Sequence, residues 1–191
     1  MNSCVLQLPT IIWVVKENAM WYVIWTTTGK EDIIKLEFET LVPREQYHDI
    51  KIFTRERKQK YRGVWQMRKE RLFPGYLFLD AEPEKIQDIR MALKRATEFS
   101  MVLKSGDALV PIREEEERFI RRLAGDTTNV AVSVGVIENE KVIIKEGPLI
   151  GMEGLIKRID RHKRMAVLEV EMFNRISEVK VGLEIVEKII S

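Results

Sequence analysis

The chain has 191 residues, 45% of them hydrophobic and 32% charged, with 32 Lys and Arg against 30 Asp and Glu. This composition allows a packed core and excludes wholesale disorder, and the near-neutral balance excludes binding by bulk charge, leaving local clusters to carry it. A single cysteine, Cys4, excludes an intrachain disulfide framework or a cysteine-based zinc site and fits a reducing, cytoplasmic compartment.

Residues 1–19 read as an N-terminal extension. Their apolar run, Ile11 to Val15, is too short to span a bilayer, and no Lys or Arg precedes it as in a signal peptide. No membrane association is expected. Met20 stands directly before Trp21-Tyr22-Val23-Ile24-Trp25, a run whose aromatic and β-branched residues predict a buried strand, so Met20 is a second candidate start. Thr28 followed by Glu31 has the spacing of a capping box, and Ile34, Phe38 and Leu41 behind it form one helical stripe that Pro43 ends. Tyr47 to Phe53 predicts a second strand.

Lys51 to Arg71 is strongly basic, and Gly63 near its middle predicts a long hairpin. Leu77 to Leu79 is a strand after Phe73-Pro74-Gly75-Tyr76. Pro83 suits the first turn of a helix carrying Ile86, Ile89 and Leu93 on one side. Short strands are predicted at 98–103 and 108–112, then a helix from Arg113 to Ala124. The order strand, helix, strand, strand, helix, strand is the split pattern of a ferredoxin-like antiparallel sheet with helices packed on it. The fold class is α+β, with residues 20–124 as the first domain and 125–136, small and polar, as a linker.

From 137 to 191 every predicted run is short and β-like: Lys141 to Lys145, Gly154 to Ile159, Ala166 to Met172, Glu178 to Val181, and Ile185 to Val186. This texture predicts a small SH3-like β-barrel. Val167 and Val170 favour strand over any helical rearrangement. Gly147, Pro148, Gly151 and Gly154 are spaced as in the KOW motif, with Leu149 where Phe is usual.

Together with Trp21-Tyr22-Val23, Val42-Pro43, Phe73-Pro74-Gly75-Tyr76-Leu77-Phe78, Val110-Pro111 and Met172-Phe173-Asn174-Arg175, this motif resembles the NusG family of transcription elongation factors. In that family an NGN domain precedes a KOW domain. The resemblance covers about residues 20 to 189, and is strongest to specialised antiterminator paralogs. It implies docking on the β′ clamp helices of RNA polymerase through Trp25, Phe73, Pro74, Tyr76 and Phe78. It implies a second contact to the β gate loop from Gln87 and Asp88, which do not keep the residue types of a specialised relative. Phe173 and Arg175 occupy positions through which bacterial KOW domains engage a small-subunit ribosomal protein or Rho.

Two basic features are candidates for nucleic acid. Lys157, Arg158, Arg161, His162, Lys163 and Arg164 cluster on one predicted turn with Asp160, able to clamp a phosphate backbone or stack on an unpaired base. In the antiterminator paralogs this half reads a nascent RNA hairpin. Arg55, Arg57, Lys58, Lys60 and Arg62 on the long hairpin suit non-specific contact with DNA or emerging RNA, and Trp65 near its tip is either a base-stacking ring or a bare loop aromatic. His48 and His162 fall in different halves, and no nucleophile elbow, P-loop or zinc-protease motif occurs. Neither catalysis, a cofactor nor a metal is expected.

Overall fold

The computed structural model describes residues 19–94 and 109–189. Residues 1–18 and the strand expected at 98–103 lie outside them. The elements are β1 (Met20–Trp25), α1 (Glu31–Leu41), β2 (Asp49–Lys51), β3 (Thr54–Tyr61), β4 (Val64–Arg71), β5 (Tyr76–Ala81), α2 (Ile86–Leu93), β6 (Val110–Pro111) and α3 (Glu114–Ala124), followed by β7 (Asn129–Val130), β8 (Ser133–Glu138), β9 (Lys141–Glu146), β10 (Ile156–Asp160), β11 (Met165–Met172) and β12 (Arg175–Ile189).

The first sheet is antiparallel, in the order β2-β5-β1-β6. Successive strand residues point to opposite faces, so β1 and β5 each feed two cores. Tyr22, Ile24, Leu77 and Leu79 pack with Ile34, Phe38, Ile86 and Ile89 of α1 and α2. Trp21, Val23 and Phe78 face the other way, toward Ile120 and Leu123 of α3. A sheet with helices on one side alone would leave that second face wet. Here α3 covers part of it, and the apolar cluster runs on into the C-terminal module through Met172 and Phe173.

Sequence reasoning missed several local details. Helix α1 starts at Glu31 with Lys30 as its cap residue and no side-chain cap, so Thr28 forms no capping box. Pro83 opens a short 3₁₀ turn, Pro83–Lys85, that leads into α2. The segment expected as a linker contains β7, which pairs parallel to β3 at Thr54–Asn129 and Arg55–Val130, and the first residues of β8. The last two predicted strands are one 15-residue strand, β12. It pairs antiparallel to β11 and, from Leu183 on, parallel to β8 with a register shift between Ile185 and Glu187, giving the order β10-β11-β12-β8-β9.

Gly147 shows why the glycine-rich corner is needed. Its φ is +96°, and a Cβ there would lie 2.7 Å from Ser133 Cα. The buried Ser133 Oγ accepts the Leu149 N–H at 3.1 Å, closing the corner. Gly154 has open space around it and an ordinary φ, so the fold does not demand glycine there.

Candidate functional site

The expected aromatic face is assembled at the end of β1 and the start of β5. Glu31, fully buried, holds it in place. Its carboxylate accepts the N–H of Gly29 at 2.9 Å and of Gly75 at 2.7 Å, tying the start of α1 to the Phe73-to-Tyr76 turn. Arg71 approaches the same carboxylate at 3.8 Å and also pairs with Asp32. Trp25 is 39% exposed and meets Tyr76 edge-on at 6.3 Å. Pro74 is exposed, Tyr76 half-buried and Phe73 nearly buried. Phe78 is 0% exposed, between Trp21, Phe53 and Phe73, so it shapes this face from behind. Gln87 and Asp88 are exposed on α2, on the opposite side of the sheet.

The face is not free. Phe173 stacks on Tyr76 with centroids 4.7 Å apart and planes 24° apart, and meets Phe73 edge-on at 6.3 Å. Arg175 Nη2 donates to the Tyr76 hydroxyl at 2.8 Å. The Phe173 N–H donates to Glu116 Oε1 at 2.5 Å, while Glu116 Oε2 accepts the Arg113 N–H at 2.8 Å. Glu116 is only 4% exposed, so these partners satisfy a buried carboxylate. Arg113 also pairs with Glu171 at 3.0 Å.

Phe173 and Asn174 form the two-residue turn between β11 and β12, with φ of +56° and +57°. That geometry suits the right-handed twist of a hairpin, but it costs a bulky residue about 1–2 kcal/mol. Asn tolerates it readily. Phe does not, and its retention there is matched by the ring contacts it makes.

A second contact joins the long hairpin to the C-terminal module. Arg55 donates to the Lys180 carbonyl at 2.6 Å and pairs with Glu70. Arg57 pairs with Glu70 at 3.0 Å and reaches Met165 Sδ at 3.8 Å. Lys58 pairs with Glu184 at 3.0 Å. Gly182 of β12 lies so close to β3 that a Cβ would fall inside contact distance of the Glu56 carbonyl and 2.9 Å from Val132 Cγ2. Arg55, Arg57 and Lys58, expected on nucleic acid, are thus engaged within the protein. Lys60 and Arg62 stay exposed near the tip.

The β10–β11 hairpin is basic, but only residues 161–164 form its turn, while Lys157 and Arg158 lie within β10. Lys157 pairs with Glu169 and Glu178, and the Glu169 hydrogen bond raises its pKa. Arg158 reaches Glu178 at 3.5 Å. The Lys163 N–H donates to Asp160 Oδ1 at 2.8 Å, holding that carboxyl below its usual range. Arg161, His162 and Arg164 line a cleft of about 420 Å³ with Glu184 and Ile185. Among the described residues no group of three or more His, Cys, Asp or Glu side chains could hold a metal ion, and no helix is long and apolar enough to cross a membrane.

An α+β fold, with an aromatic-rich sheet face covered by a small β module that carries a basic turn, defines a two-part binding protein. Residues 19–121 match the family model described as "Transcription termination factor nusG". The chain belongs to the NusG family. It is 26% identical over 181 residues to the transcription termination/antitermination protein NusG of Borreliella burgdorferi, covering 88% of this chain and 98% of that one. To the protein of that name from Staphylococcus carnosus it is 28% identical, covering 88% and 95%. A solved structure described as "Domain interaction in Thermotoga maritima NusG" shares the fold with a TM-score of 0.50 at 23% identity, over 88% of this chain and 94% of that one.

Sequence reasoning missed Glu31, Glu116 and the closing role of Phe173. Glu116 stands in a run of four glutamates at a helix start, where negative charge is favourable in its own right, so nothing marked one of them as buried. The signal available for Phe173 was its position before Asn in a hairpin turn.

Proposed function

We propose that this NusG-family transcription factor is a specialised antiterminator of the LoaP type. Its first domain (20–124) binds RNA polymerase, with Trp25, Phe73, Pro74 and Tyr76 on the β′ clamp helices, Phe78 behind them, and Gln87 and Asp88 toward the β gate loop. Its KOW domain (137–191) is recruited by a leader RNA hairpin through Arg161, His162, Lys163 and Arg164. Non-specific DNA contact falls to Lys60 and Arg62. Polymerase held closed by such a factor reads through terminators. The effect needs no catalysis, only tighter binding to the active state than to the paused one.

The observation that carries this reading is the covered aromatic face. A protein that keeps Tyr76 under Phe173 and Arg175 engages polymerase conditionally, as suits a factor loaded at particular operons. Phe173 and Arg175 are also the positions expected to meet a ribosomal protein or Rho, so such a partner competes with Tyr76 for them. The second reading is a general NusG acting on pausing, termination or coupling to translation. It draws on the paired state of Lys157 and Arg158, which leaves fewer free cations on the hairpin than the sequence suggests.

Terminator readthrough by the cognate polymerase, on templates with and without the leader of the adjacent operon, separates the two. Leader-dependent readthrough, lost in both Tyr76→Ala and Arg161→Ala, is the expected result. Equal effects on every template, insensitive to Arg161→Ala, would establish the general factor.

A further inference from the structure

The two basic features lie far apart in sequence, and the fold brings them together. Arg164 of the β10–β11 turn lays its guanidinium over the Trp65 ring of β4, with Cζ 3.5 Å from the centroid. The same Arg164 pairs with Glu184 at 2.5 Å, and Lys58 of β3 pairs with that carboxylate at 3.0 Å. Glu184 is the acid lining the cleft, and two cations neutralise it. What remains facing outward is cationic. Arg161 forms no ion pair among the described residues, and Lys163, although it pairs with Asp160 at 3.7 Å, is 67% exposed. Lys60 stands opposite Trp65 on the hairpin, and Arg62, in its turn, lies over the Tyr61 ring at 5.3 Å.

Trp65 is 42% exposed although Arg164 lies over it and Lys60 Nζ is 6.0 Å from its ring centre; Met67 is exposed on the same face of the hairpin, and Tyr61 and Val64 are exposed on the other. Large exposed aromatics interleaved with cations are a poor solvated surface. They are what an unpaired base needs: a flat apolar face for stacking, with positive charge within reach of its phosphates.

We infer that the hairpin tip and the β10–β11 turn form one composite RNA site, with Trp65 stacking an unpaired loop base and Arg161, Lys163, Lys60 and Arg62 holding the flanking phosphates. The inference rests on the RNA-recruitment reading above and adds to it. The site exists in full only while the two modules are docked. RNA therefore favours the closed form, whereas a partner that takes the Tyr76 face favours the open one. By reciprocal linkage, each ligand loosens the other. The leader concentrates the closed protein beside polymerase, and engagement of the aromatic face releases the RNA.

The test uses the full chain and a fluorescein-labelled RNA stem–loop with a randomised loop, followed by anisotropy. Expected losses in affinity for Trp65→Ala are about fivefold to a hundredfold, the usual range for removing a base-stacking ring. Arg161→Ala weakens binding and flattens its salt dependence. Phe173→Ala, remote from the RNA and on the clasp that holds the modules together, weakens it as well. Trp65 is exposed, so its variant keeps the fold, which a thermal melt checks. If Arg161→Ala weakens binding while Trp65→Ala and Phe173→Ala match wild type, the turn binds RNA alone. The composite site then falls and RNA recruitment stands. If the wild type does not bind the probe, or binds a DNA stem–loop of the same sequence equally well, the RNA reading itself falls.

Discussion

Phe173→Ala should open the protein and raise its affinity for polymerase. The side chain is partly buried, stacks on Tyr76 at 4.7 Å and touches Phe73 edge-on. Complete burial of a Phe is worth about 1.5–3 kcal/mol, so partial burial contributes about half of that. Aromatic pairing adds about 0.5–1.5 kcal/mol. Alanine keeps the N–H that donates to Glu116 and remains at positive φ, so neither term changes much. The closed form loses about 2 kcal/mol, which is about thirtyfold in the closed-to-open ratio. Apparent affinity for a ligand of the open form scales with the open fraction. Binding to isolated β′ clamp helices, measured by calorimetry, should therefore tighten by up to about thirtyfold. Loss of the Tyr76 contact should appear as altered near-ultraviolet dichroism in the free protein. Unchanged clamp affinity together with altered dichroism would refute the claim that Phe173 gates this face. Unchanged dichroism would refute the stacking itself.

Gly182→Ala should separate the hairpin from β12, because a Cβ there meets the Glu56 backbone carbonyl rather than a movable side chain. Hydrogen exchange should quicken in β3 and around Lys180, with the β11–β12 ladder still protected; unchanged exchange in β3 would contradict the tight approach. Glu153 lies in the KOW corner, where backbone N–H groups, its own first and then those of Gly151 and Ile144, hold its carboxyl below the usual range against the opposing effect of burial. A carboxyl lowered on folding contributes stability that is present above its unfolded pKa and lost as pH falls through its folded value. Glu153→Gln should therefore lower the melting temperature at neutral pH, and the gap to wild type should close on acidification through the carboxylate range. A gap independent of pH would place the effect elsewhere.

Much of this protein was legible in its sequence because the signals are local. The aromatic and β-branched run Trp21 to Trp25 and the alternation in Ala166 to Met172 specified strands with buried residues, and Gly63 and the glycines around Gly147 marked the tight turns. The spacing of Phe73-Pro74-Gly75-Tyr76 and of the KOW corner located the aromatic face and the basic turn. Tertiary structure decided what those surfaces meet. The second side of the first sheet needs cover, and nothing in the periodicity of β1 says that Phe173, about 150 residues later, supplies part of it. Nor could charge counting show that Arg55, Arg57 and Lys58 reach across to the C-terminal module while Lys60 and Arg62 lie over the hairpin's own Trp65 and Tyr61 rings. That division depends on β12 running as one long strand past β3, where Gly182 lets the backbones close and sets Arg164 over Trp65. Local patterns select elements because they act within a few residues; pairing between modules depends on distances that only the folded chain sets.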